Sequence, residues 1–358
     1  VYKWCLHPDT LITMSDMTQR RMCDVKIGDS VICGDGSVGE VTITSDLHYT
    51  GNLRNIEVVG IDGRLSCTPD HRLYRVKESS VACKHFKSSF RFCRQKYACE
   101  SKDCRDWESL SDKIEIEEVE ASDLQVGDFL IQPAGFLINN HGNDFSPDLM
   151  RLFGYYLSEG SIGFDERKET PTPKRITFSF GIHEYDLIED CIQIIRDEFG
   201  YDPKTDTTSF NTVRRIHINR VDLASLFFDL LGKRAGEKAI SARVLRQTPD
   251  RLRHLLIGYL LGDGNRTNLG NIRLTTESAS LASQIHMLMT GMRIKSNIKK
   301  ETVENNQDAY RCMVNGGDVD DFLVDAPTIG NLKLAAQSER SKSNSKSIVV
   351  GNHILRRV

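Results

Sequence analysis

Residues 154–160 read GYYLSEG and residues 258–264 read GYLLGDG. The two stretches share glycines at their first and last positions, apolar or aromatic residues between them, and one acid next to the end. That acid is Glu159 in the first stretch and Asp263 in the second. Apolar residues at helical spacing precede the first stretch, so we expect both stretches to be the ends of helices.

Each stretch is followed by the same succession of predicted elements, a strand and then an amphipathic helix. The strands are expected over 175–180 and 271–275, and the helices over 184–198 and 278–292. A repeated helix–strand–helix plan indicates a pseudo-symmetric domain. The sequence therefore predicts an α+β domain over residues 136–325.

The two acids are predicted to lie at helix C-termini, where the helix dipole disfavours an acid by up to ~1 kcal/mol. Two carboxylates brought together there also raise each other's pKa. A divalent cation removes both penalties, and hard oxygen ligands favour Mg²⁺ over zinc. Small neighbouring residues allow close helix packing, and Gly160 and Gly264 suit a left-handed cap. The alternative is two solvent-facing acids that bind nothing.

The first part of the chain, residues 5–135, is predicted to be all-β. Short apolar runs are separated by Gly-Asp, Asp-Gly and Gly-Ser turn pairs. Residues 25–32, VKIGDSVI, have an echo at residues 124–131, LQVGDFLI, and each places a Gly-Asp turn before a strand. Strands are expected at Leu11–Met14, Ser30–Cys33, Glu40–Thr44, Asn55–Val59 and Arg64–Cys67.

A basic, Cys-rich insert interrupts this β region at about 80–110, and four of the ten cysteines fall in it: Cys83, Cys93, Cys99 and Cys104. No C-x-x-C pair is present, but four thiols in a short polar segment favour a tetrahedral zinc site, with His85 as a substitute ligand. Interleaved aromatic and basic residues also suit nucleic-acid contact. Free thiols in a loop and adventitious oxidation are the alternatives.

The net charge of −3 does not exclude DNA binding, because basic residues cluster locally. No apolar run approaches the ~20 residues of a membrane span, and the N-terminus has no signal-peptide pattern. We therefore expect a soluble, cytoplasmic monomer with no membrane contact.

The two repeats resemble the signature helices of the LAGLIDADG homing endonucleases. The resemblance implies site-specific, Mg²⁺-dependent double-strand cleavage of DNA, with Glu159 and Asp263 as metal ligands. It also implies a nearby basic residue on a strand, for which Lys204, Arg215, Lys299 and Arg311 are candidates and Lys299 is preferred. Two sheets are expected to lie in the major groove of double-stranded DNA. Their predicted DNA contacts are Arg214, Arg215, His217, Lys299, Lys300 and Arg311, although each of these also suits a solvated surface charge.

The β region carries a second resemblance, in CLHPDTLI at residues 5–12, TPDH at residues 68–71 and LQVGDFLI at residues 124–131. These motifs resemble blocks of the hedgehog/intein (Hint) splicing domain, an all-β fold. The resemblance implies an N-to-S acyl shift in which the Cys5 thiol attacks the carbonyl of the preceding residue. A small buried residue is the alternative role for Cys5.

The Hint resemblance also assigns roles around the predicted nucleophile. His71 is expected to protonate or polarise the leaving amide nitrogen, and Thr68 to help bind the developing oxyanion. Residues 1–4 would then be a remnant of the flanking host protein, the extein, with Trp4 as acyl donor.

The other end of the chain departs from the splicing pattern, because it reads Asn352-His353 rather than His-Asn and no Cys, Ser or Thr follows. We expect residues 326–347 to be a linker and residues 348–358 to begin the C-terminal part of the splicing domain. The remainder of that part is expected to be absent, so complete splicing would need a complementary C-terminal fragment.

The sequence thus favours an intein that carries a homing endonuclease. One alternative is a DNA-binding protein with a degenerate nuclease on a splicing scaffold. The other is a hedgehog-like autoprocessing domain, which leaves the repeated helices unexplained.

Overall fold

A computed structural model gives the fold of the chain. It describes residues 4–81, 114–167, 169–208, 211–267, 270–303, 307–314, 319–323, 347–350 and 353–358. The predicted zinc ligands, most of the Cys-rich insert and nearly all of the predicted linker lie outside the described residues. None of the helices in the described ranges is both long and apolar enough to span a bilayer.

The helices, in chain order, are α1 (Pro147–Glu159), α2 (Tyr185–Phe199), α3 (Val221–Leu231), α4 (Ala242–Leu245), α5 (Pro249–Asp263), α6 (Ala279–Gly291) and α7 (Val319–Phe322). The strands are β1 (Leu11–Thr13), β2 (Gln19–Arg21), β3 (Ser30–Ile32), β4 (Val38–Glu40), β5 (Arg54–Ile56), β6 (Leu65–Cys67), β7 (Arg72–Val76), β8 (Glu117–Glu120), β9 (Phe129–Pro133), β10 (Gly160–Asp165), β11 (Thr172–Gly181), β12 (Lys204–Thr207), β13 (Val213–Ile218), β14 (Asn265–Arg266), β15 (Ile272–Thr276), β16 (Ser296–Val303), β17 (Gln307–Val314), β18 (Ser347–Val350) and β19 (His353–Arg357).

The chain divides into two compact units. The first, the β unit, comprises residues 1–136, 289–295 and 343–358. The second, the α+β unit, comprises residues 137–288 and 296–342.

The β unit contains three two-stranded pairs, β1–β2, β3–β4 and β5–β6, and a five-stranded sheet of order β18-β19-β9-β7-β8. The predicted strand Glu40–Thr44 differs from the structure, in which β4 ends at Glu40. Its alternating pattern finds no partner strand among the described residues, and Ile43 is 80% exposed. A hydrophobic alternation without a ladder to join does not make a strand.

The two Gly-Asp echoes form the same turn. Gly28 and Gly127 both have positive φ, 89° and 111°, which an L side chain rarely adopts. The carboxylates of Asp29 and Asp128 each accept a hydrogen bond from the backbone N–H three residues earlier, at 2.7 and 3.0 Å. The repeated sequence therefore encodes a repeated local structure, in which glycine permits the turn and aspartate holds it.

Near the end of the chain, β18 and β19 form an antiparallel pair. β19 pairs antiparallel with β9, with Leu355 opposite Ile131. Leu355 is buried with Val76 and Phe129 in a small core. The C-terminal strand thus completes a sheet with strands that precede residue 136.

The α+β unit repeats one plan twice. Its sheets have the orders β10-β11-β13-β12 and β14-β15-β17-β16, all antiparallel. One face of each sheet is apolar and buried, as shown by Phe178 and Ile216 in the first sheet and Leu274 and Val314 in the second. The alternation of strand side chains leaves the opposite face of each sheet polar.

The helices α1 and α5 form the centre of this unit and begin in the same way, with a Ser-Pro pair and a Thr-Pro pair. The Ser146 hydroxyl accepts a hydrogen bond from the Leu149 N–H at 3.0 Å, and proline occupies the start of both helices. An ideal Cβ on Gly154 would lie 2.2 Å from the Leu255 carbonyl oxygen, and one on Gly258 would lie 2.2 Å from the Arg151 carbonyl oxygen. The two backbones therefore touch at Gly154 and Gly258, the first residues of the two repeated stretches.

The predicted left-handed cap at Gly160 and Gly264 is wrong. Their φ values are −91° and −74°, because each helix passes directly into an extended segment. Glycine is required there for space. A Cβ on Gly160 would lie 2.3 Å from the Tyr156 ring, and one on Gly264 would lie 2.2 Å from the Leu260 carbonyl oxygen.

Replacing Gly258 by alanine is expected to lower the free energy of unfolding by about 1–3 kcal/mol, because the new methyl group meets backbone that cannot move aside. Gly236→Ala is the matched control, since a Cβ there meets nothing within 4 Å. Urea denaturation of both variants measures the difference. Equal stabilities would contradict the close helix contact.

Candidate functional site

Glu159 and Asp263 are the last residues of α1 and α5. Near these ends the helices remain in contact, since a Cβ on Gly262 would lie 2.0 Å from the Ser158 hydroxyl and 3.1 Å from Cγ of Glu159. The Glu159 side chain therefore starts beside the last turn of the partner helix. The two acids end paired helices, as the repeat predicted.

A lysine that the sequence analysis missed lies at this helix end. Lys238 is 4% exposed, and its Nζ donates to the carbonyl oxygens of Tyr156 and Leu157, both at 2.9 Å. It also lies 3.5 Å from the Ser158 carbonyl oxygen. The ammonium thus satisfies carbonyl groups in the last turn of α1, where the helix dipole is negative.

The pKa of Lys238 responds to its burial and to the charges of both acids. Burial lowers the pKa of Lys238 to about 8, and the negative charges of Asp263 and Glu159 oppose that shift. The charge of Glu277 acts in the same direction as theirs, but more weakly. Ionisable groups whose pKa is shifted by burial and by neighbouring charges cluster at functional sites. The loop position of Lys238 carries no periodic signal that could have identified it.

The preferred lysine of the sequence analysis was Lys299. It is on β16, its side chain is 73% exposed, and its Nζ is 3.6 Å from Glu301. The other candidates, Lys204, Arg215 and Arg311, are on strands β12, β13 and β17. Lys238, which follows the short helical turn Ala235–Glu237, was not among them.

The donor set at the helix ends fits a hard divalent cation. Two carboxylates supply hard oxygen ligands, and Mg²⁺ is bound by one or two carboxylates while it keeps water or phosphate oxygens as its other ligands. Within the described ranges, no group of three or more His, Cys, Asp or Glu side chains is placed to hold a metal. The two carboxylates are therefore the protein ligands that this site offers to such a cation.

The strand register divides the predicted DNA contacts between the two faces of each sheet. In the first sheet His217 and Arg215 lie opposite Thr177 and Ser179, on the polar face. Arg214 lies opposite Phe180 on the other face, where its guanidinium donates to the Thr205 and Thr207 hydroxyls.

The second sheet divides in the same way. Lys299 lies opposite Arg311, and both share the polar face, since Arg311 is also opposite Thr275. Lys300 is opposite Tyr310 on the apolar face, and its Nζ is 2.8 Å from Asp308. Four of the six predicted contacts thus share the polar faces, and Arg214 and Lys300 do not.

The β unit brings together the residues of the second predicted site. An isolated bridge between Leu6 and Cys67 aligns the N-terminal segment with β6. Two hydrogen bonds follow from this pairing: the Cys5 N–H donates to the Thr68 hydroxyl at 3.1 Å, and the Thr68 N–H donates to the Cys5 carbonyl at 2.9 Å. Thr68 is fully buried. The peptide nitrogen of Cys5 is therefore held by Thr68.

His71 approaches the same peptide bond from another side. Burial lowers the pKa of His71, while the Asp70 charge and a hydrogen bond to the Trp4 backbone raise it. A backbone group that raises the pKa of an imidazole is one that accepts its proton, so the partner is the Trp4 carbonyl. His71 Nδ1 is buried and has no partner among the described atoms, so Nε2 is the donor.

Both side chains thus lie at the peptide group that precedes Cys5. The Hint resemblance placed His71 at the leaving nitrogen and Thr68 at the oxyanion. In the structure Thr68 contacts the nitrogen and His71 the carbonyl oxygen. The Arg72 guanidinium also lies 5.6 Å above the Trp4 ring, so the residue before Cys5 is held by its side chain as well.

Residues 250–324 match the family described as LAGLIDADG-like domain. Solved structures include the homing endonuclease I-DmoI in complex with DNA and Mn, with 12% identity, a TM-score of 0.39, and coverage of 53% of this chain and 98% of that chain. The homing endonuclease I-WcaI bound to its DNA recognition sequence has 13% identity and a TM-score of 0.39, over 55% of this chain and 90% of that one.

Curated relatives match a larger part of the chain. Protein MJ0043 of Methanocaldococcus jannaschii is 26% identical over 288 residues, which are 72% of this chain and 34% of that protein. The iron-sulfur cluster assembly SufBD family protein Rv1461 of Mycobacterium tuberculosis is 25% identical over 293 residues, 80% of this chain and 32% of that protein. A DNA polymerase of a Thermococcus species is 28% identical over 191 residues, 52% of this chain and 10% of the polymerase. The chain therefore spans about a third of the length of the first two relatives, and the residues that match the LAGLIDADG-like domain, 250–324, include α5 from Asp250 onward and Asp263.

Proposed function

We propose that the α+β unit is a site-specific DNA endonuclease whose reacting centre lies at the paired ends of α1 and α5. The observation that carries this proposal is the convergence of Glu159, Asp263 and the buried cation of Lys238. Divalent cations bound to the two carboxylates would activate water and stabilise the leaving oxygen during phosphodiester hydrolysis. The polar faces of the two sheets, with Arg215 and Arg311, supply positive charge for the DNA backbone and bases.

Lys238 is a positioning residue in this proposal. Its ammonium holds the last turn of α1 through the carbonyl groups of Tyr156 and Leu157, and this fixes the start of the Glu159 side chain. Its positive charge also offsets the repulsion between the two carboxylates. Both effects keep the acids charged and close to each other before DNA binds.

The direct test is cleavage of a plasmid library of random inserts by the intact chain with Mg²⁺, followed by sequencing of the cut ends. We expect cuts within one long, defined target sequence. A folded chain that binds and cuts no member of the library would contradict the proposal. Binding without cutting would favour the alternative of a degenerate nuclease.

The pH dependence of cleavage tests Lys238. A pKa of about 8 means that the charged form is lost as the pH rises through 8. We therefore expect the single-turnover cleavage rate to fall above about pH 8. Lys238→Arg keeps a cation at all these pH values, so the fall should move beyond about pH 10. Lys238→Met should lower the rate by about a hundredfold to a thousandfold at pH 7.5.

Thermal unfolding of both Lys238 variants controls for loss of structure. A fall near pH 8 that persists unchanged in a folded Lys238→Arg variant would assign that titration to another group.

We also propose that the β unit makes the thioester of a protein-splicing reaction at Cys5. The contacts of Thr68 with the Cys5 nitrogen and of His71 with the Trp4 carbonyl support this, because they engage the nitrogen and the carbonyl group on the two sides of the C–N bond that must break. The thiol loses its proton as its sulfur bonds to the Trp4 carbonyl carbon, the C–N bond then breaks, and a proton equivalent to the one lost by the thiol is taken up by the nitrogen, which becomes the amine of Cys5. His71 Nε2–H stabilises the negative charge that develops on the carbonyl oxygen.

The matched relatives give this second function independent support. One is a SufBD family protein and another a DNA polymerase, and each shares only part of its length with this chain. A segment shared by proteins of unrelated name is what a mobile, self-excising element would produce. Incubation of the intact chain with dithiothreitol, followed by intact-mass measurement, should show loss of residues 1–4. An unchanged mass would contradict the proposal.

A further inference from the structure

The polar face of the first sheet contains a hydrogen-bonded chain of side chains across three strands. Asp206 on β12 accepts from Arg215 on β13 at two points, Nε to Oδ1 at 2.7 Å and Nη2 to Oδ2 at 3.0 Å. Nε2 of His217 lies 3.3 Å from the same Oδ2. Nδ1 of His217 is 3.1 Å from the Thr177 hydroxyl on β11.

The hydrogen-bond donors and acceptors of these four side chains match when His217 is neutral. Its Nε2–H donates to Asp206, and its Nδ1 accepts from the Thr177 hydroxyl. The His217 side chain is 11% exposed and is the most buried of the three ionisable side chains, whereas those of Asp206 and Arg215 are 48% and 41% exposed. The buried His217 therefore fixes the Asp206 carboxylate, and this carboxylate in turn holds Arg215 at the surface.

The edge of the Arg215 guanidinium that Asp206 occupies determines which N–H groups are left to bind DNA. Because the carboxylate takes the Nε–Nη2 edge of Arg215, the other edge, Nη1–Nη2, keeps two N–H groups on a side chain that is 41% exposed. Among the described residues, no side chain or carbonyl accepts from Nη1 of Arg215. A guanidinium edge with two parallel donors matches the O6 and N7 acceptors of guanine in the major groove.

We propose that Arg215, held by Asp206, reads one guanine in the DNA target, with Asp206 as its positioning residue. This inference rests on the proposed DNA-cleaving function. A free arginine must lose side-chain entropy when it binds a base, and here the ion pair has already fixed its rotamer. Asp206 also repels phosphate groups, which discourages Arg215 from binding the DNA backbone without regard to sequence.

The second sheet provides a contrast. Glu301 accepts from both Nη atoms of Arg311, at 2.8 and 2.6 Å, so the carboxylate occupies the outer edge. Nε of Arg311 is buried. Glu301 therefore occupies the N–H groups that Arg311 would need for a bidentate contact with a base, although β17, which carries Arg311, has the same place in its sheet as β13, which carries Arg215. The inference predicts an arginine–guanine contact in only one half of the target.

Selection of bound sequences from a randomised duplex library by the full chain, with Ca²⁺ in place of Mg²⁺, tests the inference. We expect the wild-type chain to select guanine at one position in one half of its target. Arg215→Gln should lower that preference roughly tenfold to a hundredfold and leave the other positions unchanged. Asp206→Asn should lower it at least roughly threefold while affinity for unrelated DNA rises.

Arg214→Gln is the matched control, because Arg214 is the neighbouring arginine on the opposite face of β13, and its selected sequences should equal those of the wild type. Thermal unfolding establishes that each variant is folded. A wild-type target in which no guanine preference depends on Arg215 would overturn this inference and leave the endonuclease intact. A wild-type chain that selects no sequence at all would instead overturn the proposed function together with the inference.

Discussion

Replacing Asp263 by asparagine is expected to reduce the rate of DNA cleavage by at least about a thousandfold, since the change removes a charged oxygen ligand from the paired helix ends. Affinity for DNA should change little, because the contacts that hold the duplex are on the polar faces of the sheets. Thiol-induced cleavage after Trp4 should also be unchanged, because that peptide bond belongs to the β unit. Single-turnover cleavage and gel-shift titration measure the first two effects.

The matched control is Asp250→Asn on the same helix. Asp250 is in the first turn of α5 and is exposed, so its replacement removes a charge of the same kind far from the reacting end. Its cost should be limited to a small loss of helix stability, about 0.3–1 kcal/mol. Equal loss of DNA cleavage in the two variants would contradict the assignment of the reacting centre to the ends of α1 and α5.

The paired helices could be predicted from the sequence because small residues in both repeats indicate a close contact between helices. Gly154 and Gly258 are small for the one reason that two backbones meet there, and each acid has a fixed offset from that contact. A repeat that conserves both size and charge at fixed spacing specifies a helix pair without further information. The two Gly-Asp turns of the β unit were predictable for a similar local reason.

Lys238 was not predictable, because no pattern in the neighbouring residues indicates that its side chain will be buried. Its partners are carbonyl oxygens of α1, about eighty residues earlier in the sequence. Backbone carbonyls leave no trace in the sequence, since every residue has one. Sequence reasoning instead looked for a lysine on a strand and preferred Lys299, which is exposed.

The DNA contacts were predicted from runs of basic residues, and such runs mislead on a strand. Successive side chains point to opposite faces, so a pair such as Arg214 and Arg215 cannot contribute both members to one surface. The same holds for Lys299 and Lys300. Only the register with β11 and β15 reveals which member of each pair is on the polar face.

The other large effect is expected at Cys5. Replacing it by alanine should abolish thiol-induced loss of residues 1–4, because the change removes the thiol that would attack the Trp4 carbonyl. Cys67 is close in sequence to Thr68, but it is fully buried and burial raises the pKa of its thiol, so it remains protonated and unreactive. Intact-mass measurement after incubation with dithiothreitol reports the result.

Cys23→Ala is the matched control, since Cys23 is an exposed free cysteine of the same unit and should be dispensable.

His71→Ala should slow the cleavage by about a hundredfold or more, and Thr68→Val should also slow it through loss of the contact with the Cys5 nitrogen. The two variants separate the roles that the geometry gives them. His71 acts on the carbonyl oxygen, so its loss should weaken stabilisation of the oxyanion. Thr68 holds the nitrogen, so its loss should misplace the bond that breaks. Cleavage that proceeds at the wild-type rate in Cys5→Ala would mean that dithiothreitol attacks the peptide bond without a thioester, and the splicing function would then have no support from this site.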